Sequence, residues 1–343
     1  MQTIFIHHRS THHAKNSGYS RLIDYFPDPT SIYGRNIMPY KIAKLISKVS
    51  SKQAGLYDST SVMKEYELLR VLKSNKSKAS IVHYLNGERD VRFNVKYNRR
   101  KNLKYFASFH KPPAILKTQI TNLSYLKSLN AAVCVGENQV DFIKECLHLE
   151  HVKYIPHGVD TQFFTPLASK TTVKQSKNIL FVGQHLRDFK TFNTVIKVLI
   201  EKIKGVQVDV ILRKEYATEI RLHDKIKIHH NINDIELRSF YQKADVLFLP
   251  LLDATACNSI LEALACGLPI VTSDVGGVSS YLRNTGNFLL SDQDAYIETL
   301  VKILKNPEQL ENISRLSRQK ALEYDWMEIA NRVSEFHNLV MNN

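Results

Sequence analysis

The sequence predicts an α/β protein built from two consecutive parallel-sheet domains. Three observations carry this. Short β-rich apolar runs alternate with helical patterns along almost the whole chain, which is the signature of βαβ units. The alternation stops near residue 165 and restarts at residue 177. The 343 residues, 43% of them hydrophobic, are ample for two cores of ordinary size.

In the first half, Thr3–His7, Ala79–Leu85, Tyr105–His110, Ala131–Gly136 and Val152–Pro156 are the strand candidates. Ala114–Leu126 and Gln139–Leu147 carry helical spacing between the last of them. The second half runs strand Lys177–Gly183, helix Thr191–Lys204, strands Val206–Leu212 and Lys225–His229, and helix Asp234–Lys243. Strand Asp245–Pro250, helix Ser259–Cys266 and strand Pro269–Ser273 follow, then helices to the C-terminus. Such alternation implies parallel sheets covered on both faces. Phe164–Lys177, with Thr165-Pro166 and a polar Ser/Thr/Lys run, reads as a linker. The expected division is residues 1–166 and 167–325, with a last helix at about 326–343 packing back on the first domain.

One early helix stands apart. Pro39 suits a first helical position, and Tyr40–Lys52 follows. Ile42, Leu45, Ile46 and Val49 form an apolar stripe, with Lys41, Lys44, Lys48 and Lys52 on a neighbouring face. An interfacial helix has this pattern, and so does a core-packed helix with a solvated lysine edge.

Composition narrows the class. No apolar run approaches the roughly 18 residues of a membrane span, and the start lacks the apolar core and cleavage site of a signal peptide. A cytoplasmic protein is expected. Cys134, Cys146, Cys257 and Cys266 form no C-x-x-C pair, and no histidines stand at zinc spacing, so buried free thiols and no metal site are expected. Residues 1–150 hold 24 Lys and Arg against 11 Asp and Glu, while the remainder holds 23 against 22. A one-sided positive field attracts nucleic acid, anionic lipid or acidic substrates. No helix-turn-helix, zinc finger or RNA-binding aromatic motif accompanies it, so nucleic acid is not the expected partner. An anionic membrane surface carrying the acceptor explains it at least as well.

The most informative segment is Tyr241–Val278. A buried strand ends at Pro250, a small-residue loop over Asp253–Asn258 opens a helix, and Asn258 or Ser259 can cap it. A helix N-terminus just past a strand's C-terminal end is an anion site. Glu262 lies one turn in, where a carboxylate can accept hydrogen bonds from sugar hydroxyls.

Leu261-Glu262-Ala-Leu-Ala-Cys-Gly267-Leu-Pro269-Ile-Val, followed by Asp274-Val-Gly276-Gly277-Val, resembles the nucleotide-binding signature of glycosyltransferase family 4. The resemblance implies the GT-B fold, two Rossmann-like domains facing across a cleft, with Glu262 on the nucleotide ribose. One departure is plain. The family's usual donor-sugar glutamate, eight positions before Glu262, is Ala254 here, with Asp253 beside it as a possible substitute.

Phe181-Val-Gly183-Gln184-His185-Leu186-Arg187-Asp188-Phe189-Lys190 is a glycine-ended strand followed by two cations three apart. They can sit over a diphosphate and supply the charge a metal would otherwise provide. The family uses a matching Arg/Lys pair and no metal, with arginine usually directly after the glycine, where this chain has Gln184. Arg187 and Lys190 are therefore assigned to the diphosphate, with Gly183, Thr255, Asn258 and Ser259 as neighbours. Tyr105–His110 ends in a histidine before Lys111-Pro112-Pro113, and the family carries a histidine at this place in the donor-sugar pocket. Val133–Gln139 and Ile155–Asp160 also resemble the family, and the likeness covers roughly residues 105–280. On the acceptor side, Gly18 and Tyr19 after the first strand and Asn86 after the second are candidates, each with a plain turn as the alternative.

The resemblance implies a retaining, metal-independent hexosyltransferase of EC 2.4 type. It would act on a nucleotide-diphosphate sugar and a glycan or lipid-linked acceptor in polysaccharide biosynthesis. No cofactor is expected beyond the donor substrate, and the expected place is the inner face of the cell membrane, as a peripheral protein. A catalytically inactive sugar- or nucleotide-binding protein of the same fold is the alternative, which Ala254 favours.

Overall fold

The structure is a computed structural model that describes the chain except residues 9–15, 17, 36, 55–56, 121–122, 168–175 and 343, and the side chains of 50–54. Ser17 and most of the expected linker thus lie outside the described residues. The chain forms two compact units. The first comprises residues 1–13, 18–157 and 327–343, and the second comprises residues 14–17 and 158–326.

The first unit holds a six-stranded sheet of β1 (Gln2–Ile6), β2 (Thr30–Ile32), β3 (Ser80–Tyr84), β4 (Leu103–Phe109), β5 (Ala131–Cys134) and β6 (His151–Tyr154). Their order is β2-β1-β3-β4-β5-β6, and every pairing is parallel. Alternation along the strands divides the residues between two faces. Ile4, Ile6, Val82, Tyr84, Tyr105 and Phe109 pack with Leu68 and Leu72 of helix Ser59–Ser74, Leu116 of helix Pro113–Gln119 and Ile143 of helix Val140–Leu147. The opposite face bears Phe5, His83 and Phe106, and helix Trp326–Asn342 covers it. His337 of that helix lies 4.6 Å from the Phe106 ring and 5.0 Å from His83, centroid to centroid.

The second unit holds β7 (Lys177–Val182), β8 (Val206–Ile211), β9 (Ile226–His229), β10 (Val246–Leu249), β11 (Ile270–Ser273) and β12 (Phe288–Leu290). Their order is β12-β11-β10-β7-β8-β9, again all parallel. Helix Phe189–Lys202 buries Phe192, Val195, Ile196 and Leu199 on one side. Phe192 sits 4.4 Å from Phe181 and 6.0 Å from Phe248, so helix and sheet share an aromatic core.

Ten strands match the sequence expectation to within two residues at nearly every end. Helix Ser59–Ser74 has no counterpart in the expectation, and further features differ. β2 and β12 are three-residue edge strands too short for a periodic signal. The helix expected over Ala114–Leu126 ends at Gln119, because Ile120 turns extended, and a separate 3-10 turn follows at Leu126–Ser128. Helix Asn258–Ala265 is capped by neither Asn258 nor Ser259. Cys257 occupies the cap position, and no side chain closes it. Of the four thiols, none paired, three are buried and Cys146 is half-buried, contrary to the expectation for that residue.

Burial holds His83 well below the usual histidine range and His337 down to about 3. Both imidazoles are neutral in the folded chain and take up protons when it unfolds below about pH 6.5. Stability of the first unit is therefore constant above that pH and falls as pH drops from about 6.5 toward 4. The thermal midpoint should decline between pH 7 and pH 5, and a His337→Leu chain should lose up to about 1.4 kcal/mol per pH unit of that slope. Parallel pH profiles for the two proteins would contradict it.

Candidate functional site

In an open parallel sheet, all strands end at one edge, and a crevice forms where successive connections depart in opposite directions. In the second unit that point lies between β7 and β10. The loop after β7 and the loop after β10 meet there. Asp188 N donates to the Pro250 carbonyl at 3.0 Å, and Leu252 N donates to the Leu186 carbonyl at 2.9 Å. Asp188 also caps the next helix, accepting from Thr191 N at 2.9 Å.

These contacts direct Arg187 toward the start of helix Asn258–Ala265. Its Nε donates to the Val182 carbonyl at 3.0 Å and its Nη1 to the His185 carbonyl at 3.0 Å. Its Nη2 reaches Ser259 Oγ at 3.2 Å and Cys257 Sγ at 3.6 Å. Gly183 makes room for this: its φ is +90°, and a Cβ there would lie 2.8 Å from Arg187 Nη2. Every partner of the guanidinium is neutral, and among the described residues no carboxylate pairs with it. A fixed cation thus stands beside the uncapped positive end of a helix dipole, which makes the crevice receptive to an anion.

Ser259 continues inward. It hydrogen-bonds the Tyr241 side chain, and Tyr241 Oη donates to Glu262 Oε2 at 2.8 Å. Glu262 is only 5% exposed, and burial beside its carboxylate pushes the Tyr241 phenol well above its usual range. Tyr241 therefore remains a donor that fixes the rotamer of Glu262. Asp253 Oδ1 accepts from Ala254 N at 2.7 Å, and Ala254 and Thr255 are buried. The Gly276-Gly277 turn lies directly on this loop, with Gly277 N donating to the Ala254 carbonyl at 2.9 Å. The structure thus joins Arg187, Gly183, Ser259 and Glu262 through direct or single-residue contacts. Asn258 opens the same helix, half-buried. Lys190 is exposed in the first turn of helix Phe189–Lys202, and no contact ties it to Arg187.

The first unit has its own reversal point, between β1 and β3. Gly18, with φ +99°, precedes the 3-10 turn Tyr19–Tyr25. The Tyr19 ring packs against His110 at 4.6 Å and His157 at 5.2 Å, centroid to centroid. His110 Nε2 lies 2.7 Å from the Leu85 carbonyl, which only accepts, so this nitrogen carries the proton. Its backbone N donates to Glu88 Oε1 at 3.1 Å. Asn86 starts helix Gly87–Asp90, its Oδ1 buried without a partner. Tyr19, His110 and Asn86 thus gather at one sheet edge. Burial pushes the Tyr19 phenol up to about 12.

The comparisons with known proteins fit this geometry. The family model described as "Glycosyl transferases group 1" matches residues 167–320, the stretch that carries Gly183, Arg187, Ser259 and Glu262. Residues 167–320 belong to the glycosyl transferases group 1 family. Among curated relatives of the group 1 domain, the D-inositol 3-phosphate glycosyltransferase of Corynebacterium urealyticum is 24% identical, over 55% of this chain and 51% of that protein. The UDP-Gal:alpha-D-GlcNAc-diphosphoundecaprenol alpha-1,3-galactosyltransferase of Escherichia coli is 24% identical, over 76% of this chain and 69% of that protein. The chain spans about half the length of several curated relatives that it matches. Sucrose-phosphate synthase from Thermosynechococcus elongatus superposes on the whole chain with a TM-score of 0.72 at 14% identity, both chains covered in full. The fold is that of the GT-B glycosyltransferases.

Tyr241 opens the segment singled out in the sequence, but its role, a hydrogen bond to Glu262 across 21 residues, was not read there. Sequence reasoning also missed Cys257, and His157 as an aromatic neighbour of the first-unit site. The group 1 motif named Gly276 without giving its reason. Gly276 has φ +55°, and a Cβ there would strike the Ala254 carbonyl and lie 2.6 Å from Asp253 Oδ1. Gly276→Ala should cost at least about 1–2 kcal/mol from the left-handed backbone alone. Its thermal midpoint should fall by several degrees, whereas Gly277→Ala, at φ −91°, should cost less. Equal midpoints for the two variants would contradict this account.

Proposed function

We propose that this chain transfers a sugar from a nucleotide-diphosphate donor to an acceptor, with retained configuration and without a metal. One observation carries the reading: Arg187, held entirely by neutral acceptors, stands at the free N-terminus of helix Asn258–Ala265 in the crevice between β7 and β10. Two positive elements in one place favour a diphosphate, and they favour it more as it leaves with additional charge. Lys190, from its exposed position, adds a mobile third charge. Glu262 takes the ribose hydroxyls, and Asp253 and Thr255 line the loop where the sugar lies.

The reaction breaks the bond between the anomeric carbon and the phosphate oxygen, and the electron pair leaves with the nucleoside diphosphate. The acceptor hydroxyl forms the new bond to the same carbon, and its proton passes to the departing phosphate. Arg187 and the free N–H groups near Thr255–Ser259 hold the charge of the leaving group. His110 takes the sugar-contact role that the family resemblance implies, and Gly18, Tyr19 and Asn86 serve the acceptor. The acceptor is a glycan or lipid-linked glycan of the cell envelope, presented at an anionic membrane on its inner face. Helix Tyr40–Ala54 supports this, since it exposes Tyr40, Ile42, Leu45 and Val49 beside its lysines.

A specific observation favours a second reading, a binding protein without transfer. Ala254 replaces the usual glutamate, and the Gly276-Gly277 turn packs against it. A screen of uridine and guanosine diphosphates and their sugars separates the readings, with binding followed by thermal shift and nucleotide release by chromatography. Transfer or slow hydrolysis is expected. Glu262→Gln should weaken nucleotide binding by roughly 10-fold or more, the value of a hydrogen bond to a charged group. Arg187→Ala should lower turnover about 100-fold. Binding without turnover in any pair would select the second reading, and wild-type turnover by both variants would remove the first.

A further inference from the structure

Both sites described above lie where strands end. Two neighbouring cavities of the first unit extend to the opposite edge, one running along helix Ser59–Ser74 and one beside the start of β4. One, of about 530 Å³, is walled by Ile46, Val62, Leu69 and Phe93, with Lys73 and Lys76 at its rim. The other, of about 340 Å³, is lined by the consecutive Arg99, Arg100 and Lys101, with Tyr105 and Asn130. Arg100 belongs to both, so an apolar chamber and a cationic one share a wall.

The cations are organised but not neutralised. Arg100 Nη1 donates to the Lys76 carbonyl at 3.1 Å and Nη2 to the Leu72 carbonyl at 2.8 Å, and Arg99 Nη2 donates to the Ser128 carbonyl at 3.0 Å. Among the described residues, none of Lys73, Lys76, Arg99, Arg100 and Lys101 forms an ion pair. The one carboxylate facing the apolar chamber, Glu65, is turned inward. Tyr84 Oη donates to it at 2.6 Å and Asn94 N at 2.8 Å. The surroundings carry the same chemistry outward. Tyr97 beside the chamber is 71% exposed, and Ile42, Leu45 and Val49 stand exposed on the helix that supplies Ile46.

We propose that the two cavities form one receptor for a single anionic phospholipid, its phosphate headgroup at Arg99–Lys101 and one acyl chain in the apolar chamber. The volume of the chamber falls in the range of small-molecule sites. The charge is complementary: a cluster of cations with only neutral acceptors stands next to an apolar wall, and an anionic amphiphile satisfies both at once. A free phosphate would leave the chamber unused, and a neutral lipid would leave the cations unpaired. The headgroup cluster stands at the strand edge opposite the first unit's crevice, so the lipid is a bound anchor rather than a substrate, and the inference stands whether or not the chain transfers sugar.

The test uses the full chain and soluble short-chain lipids below their micelle concentrations, with binding followed by calorimetry. Dioctanoyl phosphatidylglycerol should bind about 15-fold more tightly than the dihexanoyl form, since two further methylenes on one buried chain are worth about fourfold each. Dioctanoyl phosphatidylcholine should bind at least tenfold more weakly than the glycerol lipid, and glycerol phosphate more weakly still. A Lys73→Glu/Lys101→Glu chain, altered only at exposed positions, should lose at least tenfold, and Leu69→Trp should abolish the chain-length dependence by filling the chamber. The chain-length series on the wild type stands even if Leu69→Trp does not fold. Glycerol phosphate binding as tightly as the lipid, equal affinity for the two headgroups, or no dependence on chain length would each overturn the proposal.

Discussion

An arginine beside a helix N-terminus is electrostatically unfavourable in an empty site. The guanidinium and the free N–H groups repel, and the usual remedy is a carboxylate between them. This chain spends its contacts differently. Arg187 is fixed by two backbone carbonyls, a hydroxyl and a thiol, and the acidic residue next to it, Asp188, is committed to capping the following helix. Much of the second unit follows from keeping that arrangement. Gly183 must lack a side chain to let Nη2 pass. The loops after β7 and β10 must be stitched together at Asp188–Pro250 and Leu186–Leu252. The helix must start at Asn258 with no capping side chain, because a cap would occupy the N–H groups that an anion needs.

The loop at 253–255 shows the other side of the same constraint. The backbone N of Ala254 is taken by Asp253 Oδ1, its carbonyl by Gly277 N, and the residue is buried, with the Gly276 turn packed on its backbone. A longer side chain at 254 would have to leave this interior. Asp253 keeps only Oδ2 for a ligand while Oδ1 holds the turn, so it replaces a glutamate at best in part. In the proposed reaction, donor selection rests more on the loop's shape than on a second carboxylate.

Much of the fold was legible because both sheets are parallel and covered on both faces, which turns each central strand into an apolar run. Runs such as Ile179–Val182 and Val246–Leu249, bounded by Gly183 and Pro250, are short enough to read as buried strands. The edge strands β2 and β12 escaped because three residues carry no period. Within the site, Gly183, Arg187, Ser259 and Glu262 stood in contiguous motifs, and the motif carried them. The role of Tyr241, at the head of the segment that holds Glu262, was not legible, because its link to Glu262 is made between two helices and depends on how they pack. Lys190 shows the limit of spacing as evidence. Three residues from Arg187 places it at a helix start, and the direction taken there by a long exposed side chain is not encoded locally.

Long-range contacts are least visible in sequence, and the string running through the first unit is made of them. Ser108 Oγ donates to Tyr19 Oη at 3.2 Å. With that proton spent, His83 Nε2, at 2.9 Å, must donate to Ser108, so its Nδ1 accepts from His337 Nε2 at 3.0 Å. Every step is then fixed by the one before it: two neutral imidazoles, one tautomer each, and all dipoles pointing from the last helix toward Tyr19. His337 Nδ1 ends the string, buried without a partner. The final helix thus does more than cover the apolar face of the sheet. Its histidine, 254 residues from His83, is joined to Tyr19 through His83 and Ser108, and the ring of Tyr19 packs against His110.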